Sequence, residues 1–148
     1  MRRLFALLCL LLMTTIGLLV DPASALANDY VSKAPEGATA YLIAPEDGAI
    51  VPSTFTVKFG LSGMGIAPAG VDKEGTGHHH LLIDLETLPD LKESLAVTDH
   101  IKHFGGGQTE TMLTLPPGEH TLQLLLANYV HIPHDPPVMS EPITITVE

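Results

Sequence analysis

The 148-residue chain has a single cysteine, Cys9, inside the apolar N-terminal run, and no tryptophan. One cysteine excludes an internal disulfide framework. Cysteine-zinc and blue-copper sites are excluded as well, along with any cysteine nucleophile once that run is removed. Basic residues are also scarce: seven Lys and Arg stand against seventeen Asp and Glu. An acidic chain of this kind repels nucleic acid and anionic lipid and tolerates cations. There is no G-x-x-x-x-G-K-[ST] phosphate loop, no G-x-S-x-G elbow and no H-E-x-x-H helix. No pair of carboxylates stands out for acid–base work. Clustered oxygen ligands for calcium are missing too, because "PEDG" and "DKEG" are too sparse.

The ends are more informative. "MRRLFALLCLLLMTTIGLLVDPASALA" places two arginines before an apolar run and an A-x-A site at Ala25–Ala27. This is the layout of a secretory signal peptide, residues 1–27, cleaved after Ala27. The alternative, an uncleaved anchor, has a marginally short run from Leu4 to Val20 and no basic stop-transfer patch. The expected location is periplasmic or secreted, with no membrane attachment after cleavage. The mature chain keeps five lysines and sixteen acids, a net charge of −11 with neutral histidines. Residues 28–38 read as a flexible polar leader and 39–148 as one domain with enough chain for a core.

Within 39–148 the pattern is short β-like runs between turn residues. "TAYLIA", "FTVKFGL", "HHHLLIDL", "TETMLTL", "HTLQLLLA" and "ITITVE" are the expected strands. In the second of these, Phe55, Val57, Phe59 and Leu61 share one face, with Thr56 and Lys58 opposite. "PPGE" reads as a hairpin-like turn, and "LPDLKESLA", Leu88 to Ala96, as a helical turn or two. The expected class is all-β: a single antiparallel immunoglobulin-like β-sandwich after a cleaved signal peptide.

All eight histidines lie beyond residue 77, and they are clustered. In "GTGHHHLLID" strand parity puts His78 and His80 with Leu82, and His79 with Leu81 and Ile83. The odd side is the more apolar, so His79 is a core-side residue, expected to be hydrogen-bonded to backbone. His78 and His80 point away from that core, roughly 6–7 Å apart, close enough for both rings to reach one ion. "HIPH" adds His131 and His134 in a proline-stiffened loop, with Asp135 beside them to orient a ring. "HFGGGQTE" adds His103, and its glycines permit the ring to fold back over a strand. His120 has the parity of Leu122 and Leu124 and reads as structural. His100 reads as a solvated loop residue. Each cluster also has an ordinary explanation, as a strand edge, a surface loop or a bulge.

The coincidence of the three clusters points further. Strand ends and loops gather at the two ends of a sandwich. His78, His80, His103, His131 and His134 would then make an all-nitrogen metal site. Imidazole donors suit copper first, by the Irving–Williams order, and zinc second. Met64 and Met139 sit in loops, either to help hold copper(I) or, more simply, as apolar plugs. The leading expectation is an exported metal-binding module with no catalytic residues. The alternative is a module that binds envelope proteins or glycans through its loops, and a metalloenzyme is a third reading.

At "GHHHLLID", "HFGGGQTE" and "HIPHDPPVMSEPITITV" the chain resembles a family of small exported bacterial proteins of unknown function. The resemblance runs from about Ala40 to Glu148. The segment "LPPGEHTLQLLLANYVHIPHDPPVMSEPITITV" is also similar to the closing strands of secreted immunoglobulin-like modules. The family resemblance implies that the His78–His80, His103 and His131–His134 elements belong together. It implies no activity.

Overall fold

The computed structural model describes residues 30–148. The proposed signal peptide and its cleavage site lie outside the described residues. Nine strands follow in order: β1 (Thr39–Ala44), β2 (Ile50–Val51), β3 (Thr54–Ser62), β4 (Gly65–Ile66), β5 (Thr76–Ile83), β6 (Ile101–His103), β7 (Glu110–Thr114), β8 (Gly118–Ala127) and β9 (Ile143–Val147). The six expected strands are present, joined by the short β2, β4 and β6. No helix forms among the described residues.

The strands make two sheets. The smaller has the order β1-β3-β7. The larger has β2-β9-β8-β5-β4, with β6 also paired to β5. Most pairs are antiparallel, but β2–β9 and β4–β5 are parallel. The sheets face each other across one apolar layer. Phe55, Val57 and Phe59 of β3 meet Leu81 and Ile83 of β5, Leu122, Leu124 and Leu126 of β8, and Ile145 and Val147 of β9. Leu61 completes the predicted face of β3, only partly buried. Burying each such side chain contributes about 1.5–3 kcal/mol.

Alternation along β3 is clean because only one of its faces is covered. The middle of β8 is different. Leu124, Leu125, Leu126 and Ala127 are all fully buried. The outer face of the larger sheet carries a second apolar layer, in which Leu82, Leu125 and Ala127 pack with Leu95 and Ile101. The long connection between β5 and β6 supplies Leu95, while Leu85 and Leu91 pack at its margin. This doubly covered sheet buries His78 and His80.

Three local expectations change. Leu88–Ala96 makes only a turn: the Asp90 side chain accepts from Lys92 N at 2.9 Å, and Leu91 and Leu95 are drawn onto the second layer. Pro116–Pro117 is no hairpin turn, because β7 and β8 belong to different sheets and the segment crosses between them. The stretch 30–38, expected as a flexible leader, is docked. Ala34 N donates to Asp135 O and Asp135 N donates to Ser32 O, both at 3.0 Å, and Ala34 is buried.

His120 is structural, as its parity requires. Its Nδ1 donates to Asp84 Oδ2 at 2.7 Å and its Nε2 to Pro116 O at 2.9 Å. The hydrogen bond to Asp84 holds its pKa above the ordinary histidine value. Asp84 ends β5 in the left-handed region, φ 52°, with Oδ1 accepting from Thr121 N. The exposed His100 is tied down through Nδ1, 2.9 Å from Ile83 O.

Candidate metal centre

The site begins with β5 running antiparallel to β8. That pairing sets His78 opposite Ala127 and His80 opposite Leu125. The start of β5 therefore lies beside the end of β8 and the loop that follows it. On the other side of β5, β6 places His103 directly opposite His80. Histidines distant in sequence thus share the outer face of one sheet.

Four rings converge. Ring-centre separations are 5.0 Å for His78–His80, 5.0 Å for His78–His103 and 5.1 Å for His78–His131. They are 5.1 Å for His80–His103, 6.1 Å for His80–His131 and 4.8 Å for His103–His131. The ligating nitrogens of His78, His80 and His103 lie within 4.8 Å of one another, a grouping able to hold a metal ion. With bonds of ~2 Å, a tetrahedral four-imidazole site puts ring centres about 5 Å apart. The donor set fits such an ion.

Burial is deep and the polar atoms lack partners. His78 and His80 are 0% exposed, and neither nitrogen of either ring has a hydrogen-bond partner. His103 Nε2 is also buried and unpartnered. Unpaired buried groups cost about 1–3 kcal/mol each, so a fold that gathers this many invites a ligand. Burial, reinforced by the neighbouring histidines, lowers the pKa of His78 to about 4 and that of His80 to about 3. Burial, then His131, lowers that of His103. Neutral imidazole is the form that ligates metal.

Local chain chemistry explains each placement. His103 lies against the following glycines: a Cβ on Gly105 would overlap its ring and stand 3.3 Å from Ala69 Cβ. His131 sits in the left-handed region, φ 69°. Asn128, buried and absent from the sequence-based candidates, holds that turn. Its Oδ1 accepts from Val130 N at 3.1 Å and Ile132 N at 3.0 Å, and its Nδ2 donates to Tyr30 O and Ser32 Oγ. The sequence signal for it was an Asn directly after an apolar strand, where side-chain capping of a turn is common.

His134 is set beside the cluster, not in it. Its ring packs over Gly77, and its Nε2 donates to Thr76 O at 3.2 Å. One nitrogen is thereby spent on the backbone of β5. Burial lowers its pKa, against the pull of the Leu126 and Thr76 carbonyls. His79 takes the core side, as parity requires, with its ring 5.2 Å from that of Phe59. The expected hydrogen bond to backbone is absent: neither of its nitrogens has a partner, and burial lowers its pKa to about 4. Met64 packs against the main core and Met139 against the second layer, so both act as apolar plugs.

Gly105→Ala isolates the contribution of His103. The added methyl displaces the ring without touching the core. The expected result is an unchanged circular-dichroism spectrum and a metal affinity reduced by about 10–100-fold. Unaltered affinity would mean that His103 is not a ligand.

No curated protein matches the chain. Among solved structures it is similar to an endo-β-1,4-mannanase from Thermotoga petrophila, with 22% identity and a TM-score of 0.42. That match covers 75% of this chain and 20% of the mannanase, so the chain spans about a fifth of that protein's length. It is also similar to fibronectin(III)-like modules of Clostridium thermocellum CbhA, with 12% identity, a TM-score of 0.34, and 74% and 93% of the two chains covered. Residues 57–148, which contain all four converging histidines, match the family described as a domain of unknown function, DUF4399, and the chain belongs to that family.

Proposed function

We propose that this protein is an exported metal-binding β-sandwich module, acting in the periplasm or outside the cell, with copper as its first ion and zinc as its second. The ligands are His78, His80, His103 and His131, and His134 is a positioning residue behind His78. The observation that carries this reading is four mutually adjacent imidazoles, three of which, His78, His80 and His103, hold buried nitrogens that the protein itself leaves unpaired.

The site has the features of a holding site. Its ligands come from a rigid sheet and a turn fixed by Asn128, and two of them are wholly buried. Equilibrium dialysis at pH 7.5 against copper, with and without reductant, and against zinc tests it. One ion per chain is expected, lost when His78 and His80 are both replaced by leucine. Uptake no greater than that of the double variant would sink the proposal.

A further inference from the structure

We infer that the site is built for a monovalent ion, so that copper is held as Cu(I) in preference to Cu(II) or Zn(II). This rests on the metal-site reading above and adds the ion's charge and geometry to it.

The first observation is the charge of the cage. The four converging side chains are all imidazoles, neutral when ligating, and the grouping contains no carboxylate. After burial, it is neighbouring histidines and no carboxylate that shift the titration of His78, His80 and His103. Leu82, Leu125, Ala127, Leu95 and Ile101 form the apolar layer on the same face of the sheet. A bound ion therefore keeps its full charge against an apolar wall on the side of the buried His78 and His80, while the half-buried His103 and His131 close the other side. The cost of desolvating an ion grows with the square of its charge, so a dication pays about four times what a monocation does. Zinc and divalent copper sites commonly recover that cost with thiolate or carboxylate ligands. This site has neither.

The second observation is geometric. Six ring-centre separations between 4.8 and 6.1 Å describe a compact, three-dimensional set. Four donors in a plane would give two diagonals about 1.4 times longer than the edges, a spread the rings lack. Copper(II) prefers tetragonal geometry, whereas filled-shell ions accept a tetrahedron. Geometry thus disfavours Cu(II), and charge disfavours Zn(II).

The test is an anaerobic competition on the full mature chain. Cu(I) is titrated against bicinchoninate, and Cu(II) and Zn(II) against chelators of known affinity, all at pH 7.5. The expected result is Cu(I) held at least about a hundredfold more tightly than either dication. Zn(II) or Cu(II) binding as tightly as Cu(I) would overturn the inference and leave the metal site standing. Failure of all three ions to bind would overturn both. His131→Asp adds the missing negative charge at a position where Asp tolerates the left-handed backbone. It should lower the Cu(I)-to-Zn(II) affinity ratio by at least about tenfold. An unchanged ratio in a folded, metal-binding variant would remove the charge argument.

Discussion

Saturating the chain with its preferred ion is expected to raise the Tm by about 10–20 °C. Ligand present at a thousand times its Kd stabilises the folded state by about 4 kcal/mol, and a domain of this size gains several degrees for each of those. The same cluster weakens the metal-free protein. His80 is wholly buried with both nitrogens unpaired, and its ring lies 5.0 Å from His78 and 5.1 Å from His103. Replacing a buried, unsatisfied polar group with an apolar one of similar size removes a desolvation cost of about 1–3 kcal/mol. His80→Leu should therefore raise the Tm of the metal-free protein while abolishing the metal-dependent rise. Most core substitutions destabilise, so this reversal distinguishes a binding site from a structural cluster. Thermal unfolding of both proteins, with and without metal, decides it. A variant that loses stability and keeps the metal shift would show that the imidazole serves the fold.

The metal-free protein should unfold in mild acid, with a midpoint near pH 5. His78 and His79 have folded-state pKa values of about 4, and His80 of about 3, against 6.5 in the unfolded chain. Between those limits the unfolded state binds more protons than the folded one, so stability falls as pH falls. Each group costs about 1.4 kcal/mol per pH unit, and three acting together cost about 4. The three shifts together remove at most about 12 kcal/mol, about half of it by pH 5, so a stability at the lower end of the usual range of about 5–15 kcal/mol is lost there. His79→Leu removes one titrating group from the core without touching the ligands. It should flatten the slope by about a third and move the midpoint to lower pH. Circular dichroism from pH 8 to pH 3 measures both. Full stability of the metal-free protein at pH 4 would contradict the expectation. His120 acts in the opposite direction. Its raised pKa gives stability that is complete below pH 6.5 and lost as pH rises through the folded value, so it does not oppose the acid transition.

Much of the fold was legible along the chain. "FTVKFGL" and "ITITVE" alternate because each strand has one covered face, and period-two patterning reads such strands directly. The parity of "HHHLLI" assigned His79 to the main core, although β5 itself is covered on both faces. The pairs β2–β9 and β4–β5 were not legible, since two-residue strands carry no periodicity. Nor was the separation of β7 from β8: a Pro-Pro-Gly segment bends the chain equally well within a sheet or between sheets. The apolar run "LLLA" in β8 did carry a signal. Unbroken hydrophobicity marks a strand covered on both faces, whereas the parity reading left His78 and His80 simply pointing away from the core, and the second layer that buries them came only with the fold.

The sequence by itself determined the all-β class, the apolar face of each long strand and the chemistry available to any site. Those properties follow from local periodicity and residue type. It also excluded thiolate ligands among the described residues, because that part of the chain has no cysteine. Only the tertiary structure decided which histidines meet. His80 and His103 face each other through the β5–β6 register, and His131 arrives through a turn that Asn128 holds, while His134 is diverted to the Thr76 carbonyl. Spacing along one strand could pair His78 with His80. The other two rings come from segments more than twenty residues away, and their approach depends on strand pairing and burial that no local pattern encodes.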